Sequence, residues 1–126
     1  MLIILTCRDL HRMRAFYREV FAWKVEVDTP NYIEFKVEGA SFLGLMEAAL
    51  TQTFIGERQM SLEPGAVRPI ELYLRVESPL EQIAKLVEAG AELTSPLQMR
   101  SWGEEAAYLL DPEGNILAIS SLSGAP

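Results

Sequence analysis

The chain holds one cysteine, Cys7, and one histidine, His11. A single cysteine excludes an intrachain disulfide, and without a second cysteine or histidine no Cys/His zinc cage can be built. Long apolar runs are also missing. Nothing approaches the roughly 20 residues a membrane-spanning helix needs, and Leu2 to Leu5 is too short for the core of a signal peptide. A soluble, cytoplasmic protein with no membrane partner is the expectation. Positive charge is scarce, with 11 Lys and Arg against 18 Asp and Glu, and the net charge of −7 opposes binding to nucleic-acid phosphates. There is no Gly-rich phosphate loop, no nucleophile paired with a histidine and no HExxH motif. What remains is ordinary globular composition, 49% hydrophobic and 23% charged over 126 residues, which fits one domain.

The most informative stretch is Asp111-Pro112-Glu113-Gly114-Asn115, followed at once by Ile116 to Ile119. Asp accepts from nearby backbone N–H groups, Pro fixes φ, and Gly-Asn tolerates positive φ, so the run predicts a tight turn opening onto a mostly buried strand. Upstream, Leu2 to Thr6 reads as a strand. Asp9 stands as the N-cap of a helix patterned by Met13, Phe16, Tyr17, Val20 and Phe21. Three strands follow at Lys24 to Val27, Tyr32 to Val37 and Ser41 to Met46, giving a βαβββ unit.

The second half repeats this order. Ile70 to Val76 is a strand, and Ser78-Pro79-Leu80-Glu81 predicts an N-cap, a Pro at the first helical position and a capping box. The helix runs to Ala89 and stops at Gly90; strands are expected at Glu92 to Thr94, near Ala106 to Leu110, and at Ile116 to Ser121. An offset of 69 carries Asp9 to Ser78 and Leu2 to Glu71, while an offset of 74 carries Gly44 to Ala118. The chain therefore reads as an internal duplication, α+β in class: a first repeat over residues 1–48, a linker over 49–69 and a second repeat over 70–122. The linker shows no clear period, which leaves either a short helix or a mobile segment open.

With Arg8-Asp9-Leu10, Ala15-Phe16-Tyr17, the strand and helix from Glu71 to Gly90 and the Asp111–Asn115 turn in these places, the chain resembles the vicinal-oxygen-chelate superfamily. That superfamily includes glyoxalase I, extradiol dioxygenases and bleomycin-resistance proteins. The resemblance implies two tandem βαβββ units forming a curved, cup-shaped mixed sheet with helices outside, and a homodimer. Metal-dependent members hold one divalent cation with four side chains, whose places here fall on Leu2, Gly44, Glu71 and Ala118. Only Glu71 can ligate, and a catalytic cation needs about three protein donors, so neither a metal nor another cofactor is expected.

Strand alternation puts Leu2, Ile4 and Thr6 toward the cup, with Ile3, Leu5 and Cys7 toward the helix layer, where Cys7 acts as a small buried hydrophobe. Glu71, Tyr73 and Arg75 face the cup in the second repeat; Tyr32, Glu34, Phe42, Met46 and Ser120 join them. Trp102 is expected as a rim or a plug, and Tyr108 either lines the cup or fills the layer behind it. Glu71 and Arg75 could simply satisfy one another, and a buried Glu71 could act as a general base. Glu104-Glu105, Glu77 and Glu81 read as solvated faces, as does His11 on the helix surface. This mixed lining suits a small organic ligand. The primary reading is a metal-independent binding or sequestering protein. The alternatives are a glyoxalase-like lyase or isomerase using Glu71 as ligand or base, and a partner-binding or regulatory module with a vestigial cup.

Overall fold

A computed structural model describes residues 1–122. The element order is β1 (Leu2–Cys7), α1 (Leu10–Val20), β2 (Lys24–Thr29), β3 (Tyr32–Glu38), β4 (Ser41–Glu47), α2 (Ala48–Ile55), β5 (Glu71–Val76), α3 (Pro79–Glu88), β6 (Glu92–Met99), β7 (Glu105–Leu110) and β8 (Ile116–Ser121). These fall into two compact units, one from Met1 to Glu63 and the other from Pro64 onward. Each carries one four-stranded sheet, in the order β1-β4-β3-β2 and β5-β8-β7-β6. The fold is thus two tandem βαβββ units. The strand partners confirm the repeat register, because Ile4 pairs with Gly44 just as Tyr73 pairs with Ala118.

In the first unit the Asp9 carboxylate accepts from the Arg12 N–H at 3.1 Å, which starts α1 where the sequence places it. Leu10, Met13, Phe16, Tyr17 and Val20 then recur at helical spacing and are all buried. They share a core with Leu5 and Cys7 of β1, Ile33 and Phe35 of β3, and Leu43 and Leu45 of β4. Each large side chain so buried contributes about 1.5–3 kcal/mol of hydrophobic stabilisation. Phe21 leaves the helix in extended conformation, and its ring stacks on Trp23 at a centroid distance of 4.1 Å. The residues that follow β4 directly form α2, so the connection begins as a helix rather than as irregular chain; none of its residues is buried.

In the second unit Leu72, Leu86, Leu109, Leu117 and Ile119 make the core. Pro79 sits in the first turn of α3, and Gly90 ends it with φ +115. Ser78 is the N-cap of α3, and its carbonyl accepts the first helical bond from the Gln82 N–H at 3.0 Å, but the capping box expected there does not form, because the Ser78 side chain makes no cap hydrogen bond. β6 runs to Met99, well past Thr94, because two register shifts against β7 let the strand continue through Pro96.

Candidate functional site

In each sheet one face packs on the helix and the other carries the chemistry-bearing side chains. On β3 and β4 of the first unit, Tyr32 lies opposite Met46, and Glu34 lies opposite Gly44. The Tyr32 ring rests directly on Gly44. A Cβ built at Gly44 would come within 2.5 Å of the Tyr32 Oη and 2.8 Å of its Cε1, so only glycine leaves room for the ring. The Tyr32 hydroxyl donates to Glu34 Oε1 at 2.5 Å. Burial, reinforced by the hydrogen bond and the negative charge of Glu34, holds this phenol well above its ordinary ionisation range. Tyr32 is therefore a neutral donor at physiological pH. Phe42 and Met46 are half-buried beside this pair, and the Thr6 hydroxyl donates to Thr51 Oγ1 of α2 at 3.4 Å.

The second unit uses its face differently. Tyr73 on β5 and Tyr108 on β7 are both register partners of Ala118, so the two phenols flank that small buried residue. The loop from Arg100 to Glu104, between β6 and β7, folds back onto β5. There Tyr73 Oη donates to Glu104 Oε1 at 2.6 Å, and Arg75 donates to Glu104 Oε2 through Nη2 at 2.8 Å and Nε at 3.3 Å. The indole Nε1–H of Trp102 donates in turn to Tyr73 Oη at 3.0 Å. Ser120 is fully buried; its hydroxyl donates to the Glu105 carbonyl at 2.6 Å and lies 3.3 Å from Glu104 Oε1. Arg75 first, then Tyr73, hold the Glu104 carboxyl below its ordinary range, so it stays ionised.

Two guanidinium groups lie on tyrosine rings here: Arg75 stands 5.1 Å from the Tyr73 centroid and Arg100 stands 5.2 Å from that of Tyr108. Arg100 is fixed by bonds from Nε to the Ala106 carbonyl and from Nη2 to Ser95 Oγ and the Pro96 carbonyl. Burial first, then the negative charge of Glu71, raises the Tyr108 phenol. Tyr108 thus stands on the same face as Tyr73 and not in the layer behind the sheet.

Several sequence expectations change. Glu71 is exposed rather than buried, because it opens the edge strand β5, and it does not pair with Arg75. Arg75 is taken by Glu104 instead. Glu104, read as a solvated turn residue, is the hub of the cluster; its partners Tyr73 and Arg75 lie about 30 residues away along the chain, a pairing that no local pattern announces. Arg100 was missed for the same reason. Trp102 is 53% exposed and so is not a buried plug. Cys7 is fully buried and His11 is exposed, as expected.

The four places that would hold a cation do not fit one. Leu2, Gly44 and Ala118 offer no donor, and the space over Gly44 is filled by the Tyr32 ring. Among the described residues no three His, Cys, Asp or Glu side chains come together as a metal-binding group.

The Asp111–Asn115 turn serves structure. Asp111 Oδ1 accepts from the N–H groups of Glu113 and Asn115 at 2.9 and 3.0 Å, and Oδ2 accepts from Asn115 Nδ2 at 2.8 Å. Gly114 turns with φ +87, and its carbonyl accepts from the Arg68 N–H at 2.8 Å. Glu113, with 3% of its side chain exposed, pairs with Arg68 at 2.6 Å. The turn is thus the dock that holds the connecting segment against the second unit.

A family model described as a glyoxalase-like domain matches residues 2–120. No curated protein matches the chain. Among solved structures, a glyoxalase-related enzyme from Fulvimarina pelagi is similar at 26% identity and TM-score 0.81, covering 97% of this chain and 86% of that one. A glyoxalase/bleomycin resistance protein/dioxygenase family enzyme from Burkholderia phytofirmans PsJN is similar at 22% identity and TM-score 0.75, over 96% of both chains. A bleomycin resistance determinant encoded on transposon Tn5 is similar at 20% identity and TM-score 0.66, over 96% of this chain and 95% of that one. Among the described residues no helix is long and apolar enough to cross a membrane.

Proposed function

The chain belongs to the glyoxalase-like domain family, and from that membership we propose that it is a metal-independent protein that binds or sequesters a small organic molecule. The observation that carries this reading is the Tyr32 ring seated on Gly44: a position that would hold a cation's ligand is closed by a neutral phenol. Its counterpart Ala118 is a buried methyl flanked by Tyr73 and Tyr108. Aromatic area with a few fixed polar groups is the lining that small-molecule sites use. Each unit offers a candidate ligand face of its own: Tyr32, Glu34, Phe42, Met46 and Thr6 in the first, and Glu71, Tyr73, Arg75, Trp102 and Tyr108 in the second, where the buried Ser120 supports Glu104 from behind. Glu71, the one of the four places that carries a donor, is exposed at the start of β5 rather than desolvated, which weighs against the lyase or isomerase reading. The family relation also supports a homodimer, and light scattering should return twice the mass of one chain.

Titration with nickel, zinc, manganese and ferrous ions under calorimetry tests the reading. No stoichiometric binding and no rise in melting temperature is the expected result. One ion per chain bound with a raised melting temperature would overturn it.

A further inference from the structure

Resting on the binding reading above, the geometry points to a ligand class: the surface formed by Trp102, Arg75 and Arg100 takes a planar anion, an aromatic or conjugated carboxylate. Trp102 is 53% exposed, yet its indole is pinned by the bond from Nε1 to Tyr73 Oη, and Tyr73 is pinned by Glu104. A ring that is exposed and already ordered offers a stacking face at little further cost in side-chain entropy.

The polarity follows from counting which hydrogen-bonding groups remain unused beside that ring. Glu104 is an acceptor already engaged at both oxygens, by Tyr73 at Oε1 and by two N–H groups of Arg75 at Oε2. Arg75 still has Nη1, which makes no hydrogen bond among the described residues, and half of its side chain is exposed. Arg100 likewise uses Nε and Nη2 and leaves Nη1 unbonded. Each guanidinium lies on a tyrosine ring that holds its plane. The capacity left over is therefore donor and cationic, which a carboxylate meets with charge-assisted bonds. Two negative charges oppose it: the Glu104 carboxylate, already neutralised by Arg75, and Glu71. Glu71 precedes Tyr73 on β5 while Arg75 follows it, so the ligand's carboxylate is assigned to the Arg75 side of that tyrosine.

Two probes of one shape and opposite charge decide the matter: 1-naphthoate and 1-naphthylmethylammonium, titrated into the full chain while the indole N–H resonance of Trp102 is followed. Trp102→Phe identifies that resonance against Trp23. Naphthoate is expected to shift it saturably and the ammonium probe to leave it unmoved. Arg75→Gln should weaken naphthoate at least tenfold, with Arg100→Gln weakening it less and Arg58→Gln, in the other unit, not at all. Binding of the ammonium probe at Trp102 as tightly as naphthoate would overturn the anionic class while leaving a ligand site there. Failure of both probes to move Trp102 would overturn this surface as the site, and the metal titration above judges the broader reading separately.

Discussion

The two units start from one plan and fill it in different ways. In the first, Tyr32 and Glu34 sit two residues apart on a single strand and bond to each other over Gly44. In the second, Tyr73 reaches a carboxylate 31 residues further along the chain, delivered by a loop that also brings Trp102 and Arg100 to the same sheet. The first face is closed by local geometry, the second by a tertiary contact. A small residue at equivalent repeat positions can thus be covered by a neighbour in its own sheet or stand beside a loop from outside it. Only the loop brings exposed, fixed groups to the face.

The turns before the last strands of the two units diverge as strongly, and the largest predicted effect lies there. Gly39 in the first unit has φ +52 and open space around its Cα, whereas Gly114 has φ +87 and would drive a Cβ into the Ala66 carbonyl. Beside it, Glu113 and Arg68 form a pair with 3% and 14% of their side chains exposed. Removing one partner of so buried a pair is strongly destabilising, so Glu113→Ala should cost about 3–5 kcal/mol in urea unfolding. Gly39→Ala should cost only about 1 kcal/mol, the conformational term alone. Equal losses at the two turns would show that the second is not a dock.

A smaller effect, about 1–3 kcal/mol, is expected from Gly44→Ala, because the added methyl must displace the Tyr32 ring. Tyr32→Ala in the same chain should recover most of it. A double-mutant cycle with no coupling between positions 32 and 44 would remove the seat from the first face. On the second face Tyr73→Phe removes the hydroxyl that links Trp102 to Glu104, which should cost about 1 kcal/mol and move the Trp102 indole N–H resonance. An unmoved resonance would separate Trp102 from the cluster.

How much of this was legible in the sequence depended on the range of the contact. Local signals carried the fold: Asp9 as a cap, the apolar spacing of α1, and the alternation of Glu71, Tyr73 and Arg75 against Leu72 and Leu74 all describe neighbours along the chain. The duplication extended them, since equivalent residues in a repeat share a register, and Gly44 and Ala118 were placed correctly by it. Pairings across the sheet were not legible. Nothing in Glu104 itself distinguishes a solvated turn carboxylate from the hub that holds Tyr73 and Arg75, and nothing in Glu113 reveals Arg68. Ser78 departs in the opposite sense: the pattern marks the helix start correctly, but the side-chain bond it implies is not made.

The smallest effect is the sharpest test of the contrast, because the acid response belongs to the second face through Glu104, whereas the first face responds in alkali through Tyr32, where Tyr108 of the second face adds its own share. Glu104 has its folded pKa below the ordinary 4.5, so its contribution to stability is complete above that value and is lost as pH falls through the lower one. Tyr32 has its folded pKa above the ordinary 10.0, so its contribution is complete below that value and is lost as pH rises beyond it. Urea midpoints measured across both ranges should therefore decline at each end. Arg75→Gln, which removes the main cause of the Glu104 shift, should flatten the acid decline and leave the alkaline one. Tyr32→Phe should reduce the alkaline decline to the part that Tyr108 contributes and leave the acid one. If either variant altered both declines, the two faces would be one coupled network, and the division between a face closed by its own strand and one closed by a loop would fail.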